Sequence, residues 1–179
     1  SGLDARRLDK RAVSTAIAGR LAATADAAGQ RFSVDLRDPR LALRLKGRHA
    51  DGELVLDEAY AAARQARLEA RGKLALAGDG RFEASGSLSR FDPRAFVASA
   101  PPADLNARFS AAGRRAPELA ATLKLELAPS SLEGKPLGGR AVLALDGSRL
   151  ADADVALDLA GNRLLAKGRY GRPGDGLAL

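Results

Sequence analysis

Arg67-Leu68-Glu69-Ala70-Arg71-Gly72-Lys73-Leu74-Ala75-Leu76-Ala77 decides the fold. Leu68, Ala70, Gly72, Leu74 and Leu76 recur at every second position. Arg67, Glu69, Arg71 and Lys73 fill the places between them. Successive side chains of a strand point to opposite faces, so a period of two marks a strand with one dry and one wet side. Roughly fourteen short stretches of this chain carry the same texture, and nearly all stop at a Gly-Asp, Asp-Gly or Gly-Asn pair. Such pairs tolerate the positive φ of tight hairpin turns. The sequence therefore predicts an antiparallel meander with hardly a helix to cover its dry face. That face must be buried against itself, a partner or an apolar ligand.

Working outward, strands are predicted over Val13 to Ala25, Arg31 to Arg37, Arg40 to Arg48 and Glu53 to Ala59. Arg67 to Ala77 meets Arg81 to Ser89 across Gly78-Asp79-Gly80. Beyond Pro101-Pro102 follow Asp104 to Ala112, Glu118 to Leu127, Arg140 to Leu145, Leu150 to Leu159 and Arg163 to Tyr170. Phe91 to Phe96 carries Asp92 at an N-cap position and Pro93 behind it, which predicts one or two helical turns. Ala59 to Ala70 contains good helix formers, but its ends merge with alternating segments and favour strand. Val13 to Ala25 fits either period.

A faint internal repeat divides the chain into two units, 1–90 and 91–179, continuous in one sheet. Arg7 to Val13 parallels Arg90 to Phe96. Leu21-Ala22-Ala23 with Ala27-Ala28-Gly29 parallels Leu105-Asn106-Ala107 with Ala111-Ala112-Gly113, and Gly78-Asp79-Gly80 parallels Gly174-Asp175-Gly176. Repetition of a multi-strand unit predicts an elongated sheet built by stacking.

Of the 179 residues, 46% are hydrophobic but only 4% aromatic, and Trp, Met and Cys are absent. Leu alternating with Ala and Gly fills poorly the roughly 10 Å gap between two packed sheets. The composition therefore favours a cleft over a solid sandwich. Without Cys there is no disulfide framework and no thiolate chemistry. No apolar run reaches the ~18 residues of a membrane-spanning helix. The opening Ser1-Gly2-Leu3 reads as a boundary cut from something longer. The net charge of +7 would suit an anionic partner. The bases, however, alternate with acids along strands and do not cluster with aromatics as stacking platforms, which argues against nucleic acid.

Little in the sequence points to catalysis or metal binding. His49, the single histidine, sits beside Asp51-Gly52 and reads as a solvated turn residue. Ser85, Ser87 and Ser89 lack a nucleophile elbow and alternate on the polar side of a strand. Asp152, Asp154 and Asp158 share strand parity without a calcium-loop glycine pattern. Gly168, Gly171, Gly174 and Gly176 are spaced as turn residues, not as a dinucleotide fingerprint. No catalytic residue, metal site or cofactor is predicted.

The apolar face is the feature that rises above background. Its predicted members are Leu41, Leu43, Leu45, Leu54, Leu56, Leu68, Leu74, Leu76, Phe82, Leu88, Leu105, Phe109, Leu119, Leu123, Leu125, Leu127, Leu143, Leu145, Val155, Leu157, Leu159 and Leu164. The ordinary alternative is that these residues form the packed core of a β-sandwich or barrel.

Several segments carry a family resemblance: Gly86 to Phe96, Ala103 to Phe109, Glu126 to Arg140, Gly161 to Leu164 and Gly171 to Asp175. In this order they resemble the periplasmic TamB proteins of the AsmA-like group, from about Arg67 to Asp175. The N-terminal copy departs from the pattern, with Lys10 and Val13 where the second copy has Pro and Phe. The resemblance implies an all-β fold: an elongated, curled antiparallel sheet, a β-taco or half-pipe, with a hydrophobic concave face. It implies a periplasmic location, with the parent protein anchored in the bacterial inner membrane by a helix outside this chain. It further implies an Omp85-type outer-membrane barrel as partner, and phospholipid acyl chains as the ligand of a non-enzymatic groove serving outer-membrane biogenesis. The alternative function is a scaffold or chaperone-like module for outer-membrane protein (autotransporter) assembly, pairing its sheet edges with nascent strands.

Overall fold

The computed structural model describes residues 18–27, 29–95, 97 and 99–178. The expected strand start at Val13, the repeat copy at Arg7 to Val13, Ala28 and Phe96 lie outside these residues. The described chain is all-β. Its strands are β1 (Ala18–Asp26), β2 (Gly29–Asp38), β3 (Leu41–Ala50), β4 (Glu53–Ala63), β5 (Ala66–Ala75), β6 (Phe82–Phe91), β7 (Ala103–Arg114), β8 (Ala120–Leu132), β9 (Lys135–Asp146), β10 (Arg149–Leu159), β11 (Asn162–Tyr170) and β12 (Leu177–Ala178). They form one open, curled, 12-stranded sheet in which every strand pairs antiparallel with its sequence neighbours. The boundary at residue 90 falls at the end of β6, so six strands lie on each side of it, and β6 pairs directly with β7.

Local chemistry explains the punctuation. Asp51 and Gly52 take φ of 51° and 70°, and Glu133 and Gly134 take 52° and 75°, the left-handed pair that closes a two-residue hairpin. Asp92 caps a short 3-10 turn at Pro93–Ala95, its Oδ1 accepting the Arg94 N–H at 3.0 Å. The expected helical segment is thus a single turn, and Phe91 ends β6.

Three expectations are corrected. Ala59 to Ala70 is not one strand but the hairpin of β4 and β5, turning at Arg64-Gln65 with Arg64 at φ 56°. No Gly, Asn or Asp marks that turn, so composition hid it. The strand predicted to end at Leu127 runs on to Leu132, and its partner begins at Lys135 instead of Arg140. His49 lies within β3, opposite Gln30 and Leu54, and not in the turn.

Irregular pairing bends the sheet. Extra residues enter at Asp57-Glu58 in β4, Ser89-Arg90 in β6, Ala128-Pro129 in β8 and Ala151 in β10. A bulge strengthens local twist and bends its strand, which gives an open sheet its curl. Pro129, which has no N–H to offer a ladder, occupies such a site. Asn106 of β7 and Ser130 of β8 stitch the bulges of β6 and β8 together. Asn106 Oδ1 accepts the Arg90 N–H at 2.9 Å, and its Nδ2 donates to the Pro129 carbonyl at 2.9 Å. Ser130 Oγ accepts the Asn106 N–H at 2.8 Å.

No second layer covers the sheet among the described residues. Substantial contacts join only adjacent strands. Among the described residues the only buried apolar side chains are Ala107 and Ala153, at 5% and 4% exposure. The leucines pack sideways along the sheet and not across a sealed core, so the sandwich alternative does not hold here.

Candidate functional site

The register assembles the alternating positions into lateral rows that cross β1 to β11. One row reads Leu21, Val34, Leu45, Ala59, Ala70, Gly86, Phe109, Leu125, Ala141, Val155 and Ala166. The row beside it contains Leu36, Leu43, Ala61, Leu68, Leu88, Ala107, Leu127, Gly139, Leu157 and Leu164. A third holds Phe32, Gly47, Leu56, Gly72, Ala84, Ala111, Leu123, Leu143 and Ala153. A fourth holds His49, Leu54, Leu74, Phe82, Gly113, Ala121, Leu145, Leu150 and Tyr170.

All predicted members of the apolar face share one side of the sheet except Leu76 and Leu119, which lie just outside β5 and β8. Leu41, Leu105 and Leu159 flank the four rows on that side. With strands ~4.8 Å apart and same-face residues ~6.8 Å apart along a strand, the strip is about 48 Å long and 20 Å wide. A continuous apolar footprint on the order of 1,000 Å² exceeds what a soluble surface ordinarily leaves open.

Size varies along this strip. Across β5 and β6 its middle is floored by Ala70, Gly72, Ala84 and Gly86, continued by Ala59 beside Leu56 on β4 and by Ala111 beside Phe109 on β7. Leu54, Leu74 and Phe82 stand on one side and Leu68 and Leu88 on the other. Large rings shield the facing glycines. A Cβ on Gly47 would come within 2.5 Å of Phe32 Cζ, and one on Gly86 within 2.6 Å of Phe109 Cζ. A ring laid over a cross-strand glycine restores the contact area that the missing side chain gives up. The predicted member list named the leucines and missed this small-residue floor. Two of its members, Ala59 and Ala70, lie in the segment whose hairpin was read as a single strand.

The opposite side is charged and largely self-complementary across strands. Lys46 reaches Glu58 at 2.9 Å, Lys73 reaches Glu83 at 3.5 Å and Lys167 reaches Asp154 at 3.0 Å. Opposite charges on facing positions support pairing, although each exposed ion pair adds little. The Arg44 guanidinium lies 4.4 Å from the centre of the facing Tyr60 ring. The Arg37 hydrogen bond holds the Asp35 carboxyl below the usual range, and Lys46 does the same for Glu58. Asp152, Asp154 and Asp158 fall on this face, as their parity predicts. Among the described residues no group of His, Cys, Asp or Glu could hold a metal ion.

Four open hollows, of about 920, 650, 620 and 500 Å³, lie among the side chains of this charged face. Of the predicted apolar set, only Phe109, Leu125, Leu127, Leu157 and Leu56 border them, from positions whose side chains alternate to the other face. The second hollow is lined by Arg44, Arg71 and Arg108 and by Asp57, Glu58 and Glu69, of which Glu58 and Asp57 pair with Lys46 and Arg48. The leucine side is therefore a continuous strip and not a closed pocket.

One ion pair is better shielded than the rest. Arg149 grips Asp175 through Nε at 3.1 Å and Nη2 at 2.8 Å, with the two side chains 18% and 9% exposed. The Arg172 N–H donates to the same carboxylate at 2.9 Å. Arg149 first, with the Arg172 N–H in support, holds the Asp175 carboxyl below the usual aspartate range. The pair ties the turn after β11 back to the start of β10. Asp79, its repeat counterpart, instead pairs locally with Arg81 at 3.1 Å.

No helix among the described residues is long and apolar enough to cross a membrane. Compared with known protein families, curated proteins and solved structures, the chain matches none.

Proposed function

We propose that this chain is a non-enzymatic, TamB-like segment of a periplasmic lipid conduit, whose apolar face carries phospholipid acyl chains between the inner and outer membranes in outer-membrane biogenesis. The observation that supports this reading best is the uncovered strip of apolar rows crossing β1 to β11. A methylene transferred from water to such a surface gains roughly 0.8 kcal/mol. A tail lying along the rows is held strongly in total, yet a shift by one strand exchanges one leucine–alanine neighbourhood for a similar one. Ala59, Ala70, Gly72, Ala84 and Ala111 leave room for the chain beside the Phe109 ring, which covers Gly86. In the parent protein the conduit is anchored in the inner membrane and reaches an Omp85-type barrel in the outer membrane.

A second reading has its own observation. β12 pairs only with Lys167 and Gly168, so along Asn162 to Ala166 the outer edge of β11 has no strand beside it among the described residues. Such an edge accepts a further strand by backbone pairing. A scaffold for outer-membrane strands would use that edge and not the leucine face.

Native mass spectrometry of protein purified without harsh detergent tests the first reading. Co-purified phospholipid, displaced by added fatty acid, is expected. Protein that stays lipid-free after exposure to phospholipid, while capturing unfolded outer-membrane strands through the β11 edge, would sink it.

A further inference from the structure

The hollow of about 920 Å³ on the charged face differs from the other three in that its cations are unpaired. Arg108, Lys124, Arg140 and Arg163 surround it, with only Glu126 and Asp158 to oppose them. None of the four cationic side chains has a hydrogen bond or ion pair with another described residue. The register would permit such pairs, because Glu126 faces both Arg108 and Arg140, and Asp158 faces Arg163. Instead Asp158 Oδ1 accepts the Gly161 N–H at 2.9 Å and is committed to its own hairpin turn. Four cations against two acids leave a surplus of two positive charges, with Arg108 shared with the second hollow; the third hollow has the same surplus, but there Lys46 and Arg48 are held by Glu58 and Asp57. Val142 and Ala156 keep the floor low between the long basic side chains.

We propose that this hollow is a binding site for a small soluble phosphate-bearing molecule. The inference is independent of the lipid reading, since it uses the other face of the sheet. Arg108 and Arg140 stand on strands two steps apart, about 10 Å, and Arg163 lies about 12 Å from Arg140 across and along the sheet. Long arginine side chains span such backbone separations, so their guanidinium groups can converge on one multiply charged anion. Guanidinium groups meet phosphate oxygens in paired, charge-assisted hydrogen bonds, which explains three arginines where lysine would give only a point charge. At about 920 Å³ the hollow falls within the size range of small-molecule sites. The four cations are exposed around the low, partly apolar floor, so a soluble phosphate and a lipid headgroup are told apart by the vesicle arm of the test.

The experiment titrates inorganic pyrophosphate into the whole chain by calorimetry at low salt. Saturable one-to-one binding is expected. Arg140→Gln combined with Arg163→Gln should weaken it by about tenfold or more, the loss of at least one charge-assisted bond. Glu126→Gln should tighten it several-fold by removing an opposing charge. Arg31→Gln, on the same face but at another hollow, should leave it unchanged. The proposal is overturned if pyrophosphate fails to bind at about 10 mM, a concentration at which even millimolar affinity saturates. It is equally overturned if Arg31→Gln weakens binding as much as the paired change, or if only phosphatidylglycerol vesicles bind. Should the double variant fail to fold by circular dichroism, Glu126→Gln decides alone, and unchanged affinity refutes the site.

Discussion

Leu125 is the most informative position in the apolar strip. It lies on β8 between Phe109 and Ala141 in the longest lateral row, so an acyl chain following the rows must pass it. One strand crossing of ~4.8 Å accommodates about four methylenes, and at ~0.8 kcal/mol each these contribute about 3 kcal/mol of contact. Arginine at this position must keep its guanidinium in water and denies the chain that crossing. Leu125→Arg is therefore expected to weaken binding of a fluorescent fatty acid by about two orders of magnitude. The fold should survive, because no second layer packs on this face and the new side chain can reach solvent. Ala112→Arg is the matched control. It adds the same group on the opposite face, between Glu83 and Thr122, at an exposed position. It should change fatty-acid affinity less than about twofold, the scale of an ordinary surface substitution. Displacement titrations on both variants, with melting curves alongside, compare the two faces directly. Equal losses from Leu125→Arg and Ala112→Arg, or full binding by a folded Leu125→Arg protein, would refute the assignment of lipid to the leucine face.

Three further outcomes are expected. Gly86→Val forces a side chain against Phe109 and the Glu69 carbonyl, so urea unfolding should show a loss of about 1–3 kcal/mol. Asn106→Ala removes the side-chain bonds to Arg90 and Pro129 that join β6, β7 and β8; a destabilisation of about 1–3 kcal/mol in the same assay is expected, from the bonds lost and the groups left unpaired. Arg149 holds the Asp175 carboxyl below its unfolded value, so the pair stabilises the turn above about pH 4 and loses that effect as pH falls through this value toward the folded one. The amide resonances of Arg169 and Arg172 should shift in that window, and Asp175→Asn should abolish the pH dependence.

Much of this architecture was legible in the chain. Alternation in Arg67 to Ala77 and its kin identified strands, because side-chain period is a local property of extended backbone. Asp51-Gly52 and Gly161 marked turns because positive φ is cheap there. Arg64-Gln65 escaped because neither residue signals positive φ, although Arg64 adopts it. The leucines named for the apolar face fall on one side of the sheet apart from Leu76 and Leu119, since each was placed by its own neighbours.

Sequence alone determined the class of fold, the two chemically distinct faces and most hairpins. Only the tertiary structure decided how those faces join from strand to strand. The bulge at Asp57-Glu58 returns Ala59 and Ala61 to the side of Leu54 and Leu56, and the bulge at Ser89-Arg90 does the same for Phe91 beside Leu88. A bulge arises from pairing with a partner strand, so strict alternation along one segment cannot reveal it. The same holds for the open leucine face and the surplus of charge behind it. Whether a side chain is covered or a guanidinium is paired depends on neighbours that the fold, and not the local sequence, brings near.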